Sequence, residues 1–229
     1  MDDWSDFYYE DLAIPSQYEL AMLKCDQQNE GKAKEEMQQA LAKGLDHHNI
    51  CAQLDLACFI GNASVVELLI TYFKEKDYSL DNDNTSDTII KWKSLKSLLN
   101  HFNRDCGDTP LLLALRGKQC SKRLPISKLL LEAGADVNLS HPMSKKTPLI
   151  SAITQGNCEM VELLIENGAD TQLCDNVGIS PLYSAIMHGK TDLVSKLIEA
   201  GCDVNVGSQD HTPLFIATKL GQMGTVKVL

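Results

Sequence analysis

The sequence predicts an all-α solenoid, a row of about five to six stacked helix-turn-helix units joined by short hairpin loops. Two recurrences predict it. A cap, Thr109-Pro110-Leu111, returns as Thr147-Pro148-Leu149, Ser180-Pro181-Leu182 and Thr212-Pro213-Leu214, with prolines 38, 33 and 32 residues apart. A turn, Gly134-Ala135-Asp136, returns between the caps as Gly168-Ala169-Asp170 and Gly201-Cys202-Asp203, in steps of 34 and 33. Periods of this length mark a unit that buries its apolar flank only against neighbouring copies of itself.

Each element of the unit has a physical reading. A Thr or Ser hydroxyl accepts a hydrogen bond from the free N–H groups that open a helix. Proline at the first helical position loses nothing, because its missing N–H would be unpaired there anyway. An alanine stands four residues after each proline (Ala114, Ala152, Ala185, Ala217) and lets two helices approach closely. A glycine such as Gly156 or Gly189 then breaks the first helix. A second helix follows, with apolar runs such as Met160-Val161 and Leu163-Leu164-Ile165. The glycine of Gly-Ala-Asp supplies the left-handed turn that ends it. The remainder, as in Val137-Asn138-Leu139-Ser140, forms a loop or tight hairpin leading to the next cap.

This pattern resembles the ankyrin repeat, whose period is 33 and whose signature is Thr-Pro-Leu-His-x-Ala. The resemblance departs at one position. The histidine of the signature is replaced by Leu112, Ile150, Tyr183 and Phe215, so apolar packing is expected where the family makes hydrogen bonds. Upstream the signal weakens. Leu54-Asp55-Leu56-Ala57, Gly61 and the run Val65 to Ile70 fit one repeat without the Thr-Pro, and Leu41 to Asp46 echoes Leu131 to Asp136. The expected organisation is a tail or cap over 1–15 and a degenerate first repeat over 16–48. A divergent repeat over 49–73 and an insertion over 74–105 follow. Full repeats span 106–142, 143–176 and 177–208, and a partial repeat spans 209–229. That last repeat stops inside its second helix with no polar cap, so the sequence reads as truncated or as a fragment.

The insertion divides in two. Asp77 to Asn84 reads as polar loop; Ile89, Trp92, Leu95, Leu99 and Phe102 then recur at helical spacing, with Lys91, Lys93 and Lys96 elsewhere. This amphipathic helix either packs on the flank of the stack or docks a partner, and packing is favoured. The opening residues, Trp4, Phe7, Tyr8 and Tyr9 among Asp2, Asp3, Asp6, Glu10 and Asp11, form a tail, a cap or a short docking motif, with tail or cap as the default.

Composition removes several function classes. The net charge of −10 opposes nucleic acid binding, which needs a basic surface. The start of the chain lacks the basic and apolar regions of a secretory signal, and no apolar run approaches the ~20 residues that cross a bilayer. The cysteines Cys25, Cys51, Cys58, Cys106, Cys120, Cys158, Cys174 and Cys202 have no CxxC spacing, which points to a reducing cytoplasmic (or nuclear) compartment. No catalytic, cofactor or metal constellation stands out. Gly178-Ile179-Ser180 lacks the second glycine of a nucleophile elbow, and Ser180 is already a helix cap. The run Asp81, Asp83, Thr85, Asp87 has Ser86 and Trp92 where a calcium loop needs glycine and glutamate. His47-His48, His188 and His211 are scattered.

What remains is recognition of another protein. The resemblance implies a concave face lined by first helices and loop tips. First-helix candidates are Arg116, Gln155, Tyr183, Met187 and Lys219; loop-tip candidates are Met143, Lys145, Asn176, Val177 and Gln209. Tyr, Met and Arg are enriched at interface cores, which ranks Tyr183, Met187 and Arg116 first, although Tyr183 can equally be packed. The resemblance also implies asparagine hydroxylation by a 2-oxoglutarate-dependent hydroxylase at Asn138 and Asn205, each with a leucine eight residues upstream (Leu130, Leu197) and a preceding Asp-Val. The competing reading is that both asparagines shape the turn. The expected function is a non-enzymatic scaffold or adaptor that binds partner proteins and takes no small-molecule substrate. The alternative is the substrate-recognition part of a larger protein, a ubiquitin-ligase adaptor or an enzyme whose functional domain lies beyond Leu229.

Overall fold

A computed structural model describes residues 30–44, 47–80, 94–206 and 211–229. Outside it lie the 1–15 tail, residues 16–29 of the first repeat, Cys25, Ile89, Trp92, Gln209 and the acidic run from Asp81. The described residues form twelve helices. They are α1 (Glu30–Ala42), α2 (His47–Ile60), α3 (Ala63–Leu80), α4 (Leu95–Leu99), α5 (Pro110–Arg116) and α6 (Cys120–Glu132). Then come α7 (Pro148–Gln155), α8 (Cys158–Glu166), α9 (Pro181–Met187), α10 (Thr191–Glu199), α11 (Pro213–Lys219) and α12 (Met223–Val228). First helices pack in one file, α2–α5–α7–α9–α11, and second helices in another, α3–α6–α8–α10–α12. Helix α1 lies on α3, the place of a second helix in a preceding repeat.

The caps form as their chemistry predicts. Thr109, Thr147, Ser180 and Thr212 each accept the N–H three residues on, at 3.3, 3.2, 3.1 and 3.3 Å. Second helices end alike: Ala135, Ala169 and Cys202 donate to the carbonyls of Leu130, Leu164 and Leu197 at 3.0, 2.9 and 3.0 Å. Gly134, Gly168 and Gly201 take φ of 97°, 82° and 83° to close those turns, a region where side chains strain the backbone. First helices use the spacing alanines again. The carbonyls of Ala152, Ala185 and Ala217 accept the N–H groups of Asn157, Lys190 and Gln222, and Ala57 accepts that of Asn62 in the divergent repeat.

The core runs along both files. Leu111, Ala114 and Leu115, then Leu149, Ala152 and Ile153, then Leu182, Ala185 and Ile186 are at most 1% exposed. Ile126 and Leu130, Met160 and Leu164, Leu193 and Leu197 match them from the second helices. Apolar packing takes over the signature-histidine position at Leu112 and Ile150, and at Tyr183, which is 8% exposed. Phe215 departs from that expectation. It is exposed and its ring lies 4.9 Å from that of His211. Its neighbour Leu214 is likewise exposed, whereas Leu111, Leu149 and Leu182 at the same register are covered by the following first helix.

The insertion is described at its two ends, 74–80 and 94–105; Ile89 and Trp92 of the expected amphipathic helix lie outside the described residues. Helix α3 runs on to Leu80, into the stretch read as polar loop, because nothing like Gly-Ala-Asp follows Phe73 to stop it. Helix α4 holds only five residues, and Phe102 lies beyond it, exposed. Leu95, Leu98 and Leu99 are buried against the stack. A polar clamp fixes this segment. Asp55 on α2 is 4% exposed; its carboxylate lies 3.0 Å from His101 Nε2 and accepts Asn103 Nδ2 at 2.7 Å. His101 Nδ1 hydrogen-bonds to the Leu98 carbonyl at 2.7 Å. Burial pulls the imidazole down, but the Asp55 carboxylate and the Cys51 side chain outweigh it and push it up to about 10.

The sign of the pH dependence follows. A histidine whose folded value is raised gives stability that is complete below the unfolded value near 6.5 and lost as pH climbs through about 10. Urea unfolding between about pH 6 and 10 will therefore show the wild-type chain losing stability as pH rises. His101→Gln, which leaves a buried carboxylate without its cation, will be less stable by about 3 kcal/mol at neutral pH and will flatten that decline. Equal slopes in both proteins would contradict the clamp.

Candidate functional site

Among the described residues three β-like fingers lead into the first helices, each built to one plan. Asn103, His141 and Asp175 open them, donating their N–H to the carbonyls of Asp108, Lys146 and Ile179 at 2.8, 3.0 and 3.1 Å. The chain turns back through Gly107, Lys145 and Gly178, whose N–H groups return to the carbonyls of the same openers. One opener side chain then accepts two turn amides. Asn103 Oδ1 takes those of Asp105 and Cys106, His141 Nδ1 those of Met143 and Ser144, and Asp175 Oδ1 those of Val177 and Ile179. Fingers 141–146 and 175–179 are joined by Asn176 N–H donating to the Ser144 carbonyl at 2.9 Å.

The turns that end the second helices, earlier in the same connections, make a second ladder. Asp136, Asp170 and Asp203 each accept the amide two residues on, from Asn138, Gln172 and Asn205. Asn100 Oδ1 accepts Asp136 N–H at 2.8 Å, and Asn138 Oδ1 accepts Asp170 N–H at 2.8 Å. Asn138 Nδ2 also donates to the Gly168 carbonyl. Asn138 is thus a rivet between repeats, with both ends of its amide in use. Asn205 is exposed and donates to Asp203 of its own turn.

The candidate recognition residues fall into three environments. Arg116, Met187 and Lys219 occupy one register, six residues after their prolines, and are exposed at the ends of α5, α9 and α11. Finger tips carry Met143 (79% exposed), Val177 (50%), Lys145 and Asn176, all accessible. Tyr183 is packed, and burial pushes its phenol up. Gln155 is exposed but engaged, accepting Arg123 Nη1 at 2.7 Å. The sequence reading missed the group behind Arg116. Its guanidinium pairs with buried Asp108, and Lys146 nearby is held below the usual lysine range, by burial first and Arg116 second, with Asp175 opposing. Aspartates just ahead of a cap were visible in the sequence, but not which cation they held.

Among the described residues no group of three His, Cys, Asp or Glu could hold a metal ion, and no helix is long and apolar enough to cross a membrane. The arrangement is that of a repeat solenoid presenting side chains from a rigid frame, a class built for recognising extended surfaces. The chain matches the family described as Ankyrin repeats (3 copies) over residues 91–175 and 167–229, more than half its length. It belongs to the ankyrin-repeat family, whose repeats are generally protein–protein interaction modules. It is also similar to Ankyrin repeat and SAM domain-containing protein 6 of Rattus norvegicus, 40% identical over 76 residues. That match covers 32% of this chain and 8% of the relative, so the chain spans a small part of that protein.

The pairing separates two residues that look equivalent on the surface. Arg116→Ala leaves the Asp108 carboxylate buried without its cation and will cost about 2 kcal/mol. Met187→Ala removes an exposed side chain and will change stability by about 0.5 kcal/mol or less. Thermal denaturation of the two variants beside the wild type checks this; matching midpoints would mean that the Asp108 pair carries no stability.

Proposed function

We propose that this chain is a scaffold or adaptor module that holds a partner protein against its finger tips and the adjoining first-helix stripe. The observation that supports it best is the exposure of Met143, Val177 and Met187 on fingers and helix ends whose backbones are fixed by hydrogen bonds. A backbone that is already fixed has little further conformational freedom to lose on binding, and Met adapts to irregular partner surfaces. Lys145 and Lys219 border them and favour a partner with acidic groups at its rim. Tyr183 and Arg116 contribute to the frame, Tyr183 by packing and Arg116 through Asp108. The relative in which the matched stretch is 8% of a longer chain supports a second reading, that such repeats serve as the recognition part of a larger machine. The proposed setting is cytosolic. A subsidiary proposal is hydroxylation, for which exposed Asn205 is better placed than the riveted Asn138; a +16 species at Asn205 in protein from an animal cell is the expected mass-spectrometric result.

Affinity capture with the wild-type chain and a Met143→Glu/Val177→Glu/Met187→Glu variant, read by quantitative mass spectrometry, tests the main reading. The expected result is a set of proteins held by the wild type and reduced about tenfold or more by the variant, as loss of a few interface anchors of 1–2 kcal/mol each implies. The variant's thermal midpoint should stay close to that of the wild type. Identical captured sets would sink the proposal.

A further inference from the structure

The finger over 141–146 differs from its two neighbours at two positions, and both differences weaken it. Its opener is a histidine where the others have Asn103 and Asp175. Its turn residue is Lys145 at φ 53°, where the others have Gly107 at 75° and Gly178 at 81°. A side chain in that left-handed region strains the backbone, and glycine avoids the strain. The finger is therefore held in a costly shape by whatever bonds close it.

Those bonds fix the state of the imidazole. Nε2 lies 2.8 Å from the Cys106 carbonyl, which can only accept, so Nε2 carries a proton. Nδ1 receives the Met143 and Ser144 amides at 3.2 and 3.1 Å, which can only donate, so Nδ1 is bare. The ring is the neutral tautomer with its single proton facing the preceding finger. Gly107 makes room for it, since a Cβ there would stand 3.0 Å from Nε2. An oxygen acceptor, as Asn103 and Asp175 supply at this position, keeps a lone pair for the turn amides; an imidazole nitrogen that takes a proton has none left.

We propose that the 141–146 finger is a proton-released element, in which proton uptake from solvent at His141 Nδ1 abolishes both turn bonds and lets the strained tip open. The imidazolium has no lone pair left for Met143 and Ser144, and its new N–H points at two other N–H groups. The charged and titratable groups on the adjoining elements are Arg104, Asp105, Cys106 and Asp108 on the preceding finger, Arg116 on α5, Lys145 and Lys146 on its own finger, and Asp175 on the next. Asp108 is committed to Arg116, and the ion pairs of the described residues include none to His141. No carboxylate therefore holds the imidazolium in place of the lost bonds. Met143, the most exposed of the exposed large apolar side chains, rides on this tip, so release would withdraw an anchor from the partner face. That consequence rests on the proposed function; the release itself does not.

The experiment reads the finger and not the partner, so the two fail separately. The full chain, labelled with 15N, is compared with His141→Asn, which keeps an acceptor as in the first finger but cannot titrate. Imidazole nitrogen shifts at neutral pH should show the Nε2–H tautomer. As the solution is acidified from neutral pH, Met143 and Ser144 should lose protection from amide exchange. After correction for intrinsic rates, the loss should be roughly tenfold or more relative to the variant, as removal of two turn hydrogen bonds implies. An Nδ1–H tautomer in the wild type, or protection that falls equally in both proteins, would overturn the proposal. The tautomer measurement needs no variant and decides the matter even if His141→Asn folds poorly.

Discussion

Neighbour-against-neighbour burial is the constraint on which everything else in this protein rests. No helix pair here can cover its own apolar flanks; the first helices α5, α7 and α9 carry leucine, alanine and isoleucine side chains that are almost wholly inaccessible only because the next repeat lies on them. The exposed Leu214 and Phe215 show the same surface without that cover. The spacing alanines serve this constraint twice. Their small side chains let the first helices close up, and the carbonyls of Ala152, Ala185 and Ala217 end those helices by accepting a following N–H.

Once the helices are stacked, the connections are forced into register, and two ladders grow along the segments that lead from each second helix to the next first helix. In one, Asn100 and Asn138 each bridge to the backbone of the following repeat. In the other, finger openers gather their own turn amides and leave the tips in solvent. This division explains why some polar loop residues are structural and others are free to recognise. Asn138 belongs to the first kind and Met143, Val177 and Asn176 to the second. Arg116 stands between, accessible on one side and bound to buried Asp108 on the other.

The divergent repeat shows how the stack accommodates an irregularity. Asp55 is a charge in a first-helix position that would otherwise be unfavourable to bury. It is tolerated because the insertion brings His101 to within 3.0 Å of one carboxylate oxygen and Asn103 to donate to the other. The same contact closes the gap between α2 and the first full repeat, where Lys118 N–H also reaches the Phe59 carbonyl at 3.0 Å. Gly117 fits this crossing for lack of a side chain rather than for a left-handed turn, with three carbonyl oxygens at 3.0 to 3.2 Å from where a Cβ would stand.

The sequence by itself determined the repeat, its caps, its left-handed turns and the two helix faces, because these depend on residues close together in the chain. Thr147 finds the Ile150 amide, and Gly168 and Ala169 close on Ile165 and Leu164, whatever lies outside the repeat. Through the family resemblance it also pointed to Met143, Val177 and Met187, which are exposed. Only the tertiary structure decided what crosses between repeats. The length of α4, the burial of Tyr183 and the pairing of His101 with Asp55 depend on the neighbouring unit. So do the rivet at Asn138 and the tautomer of His141, which is set on one side by its own turn and on the other by Cys106. Contacts between residues some 30 to 50 positions apart leave no periodic mark on the chain. They depend on how closely one rigid unit seats against the next.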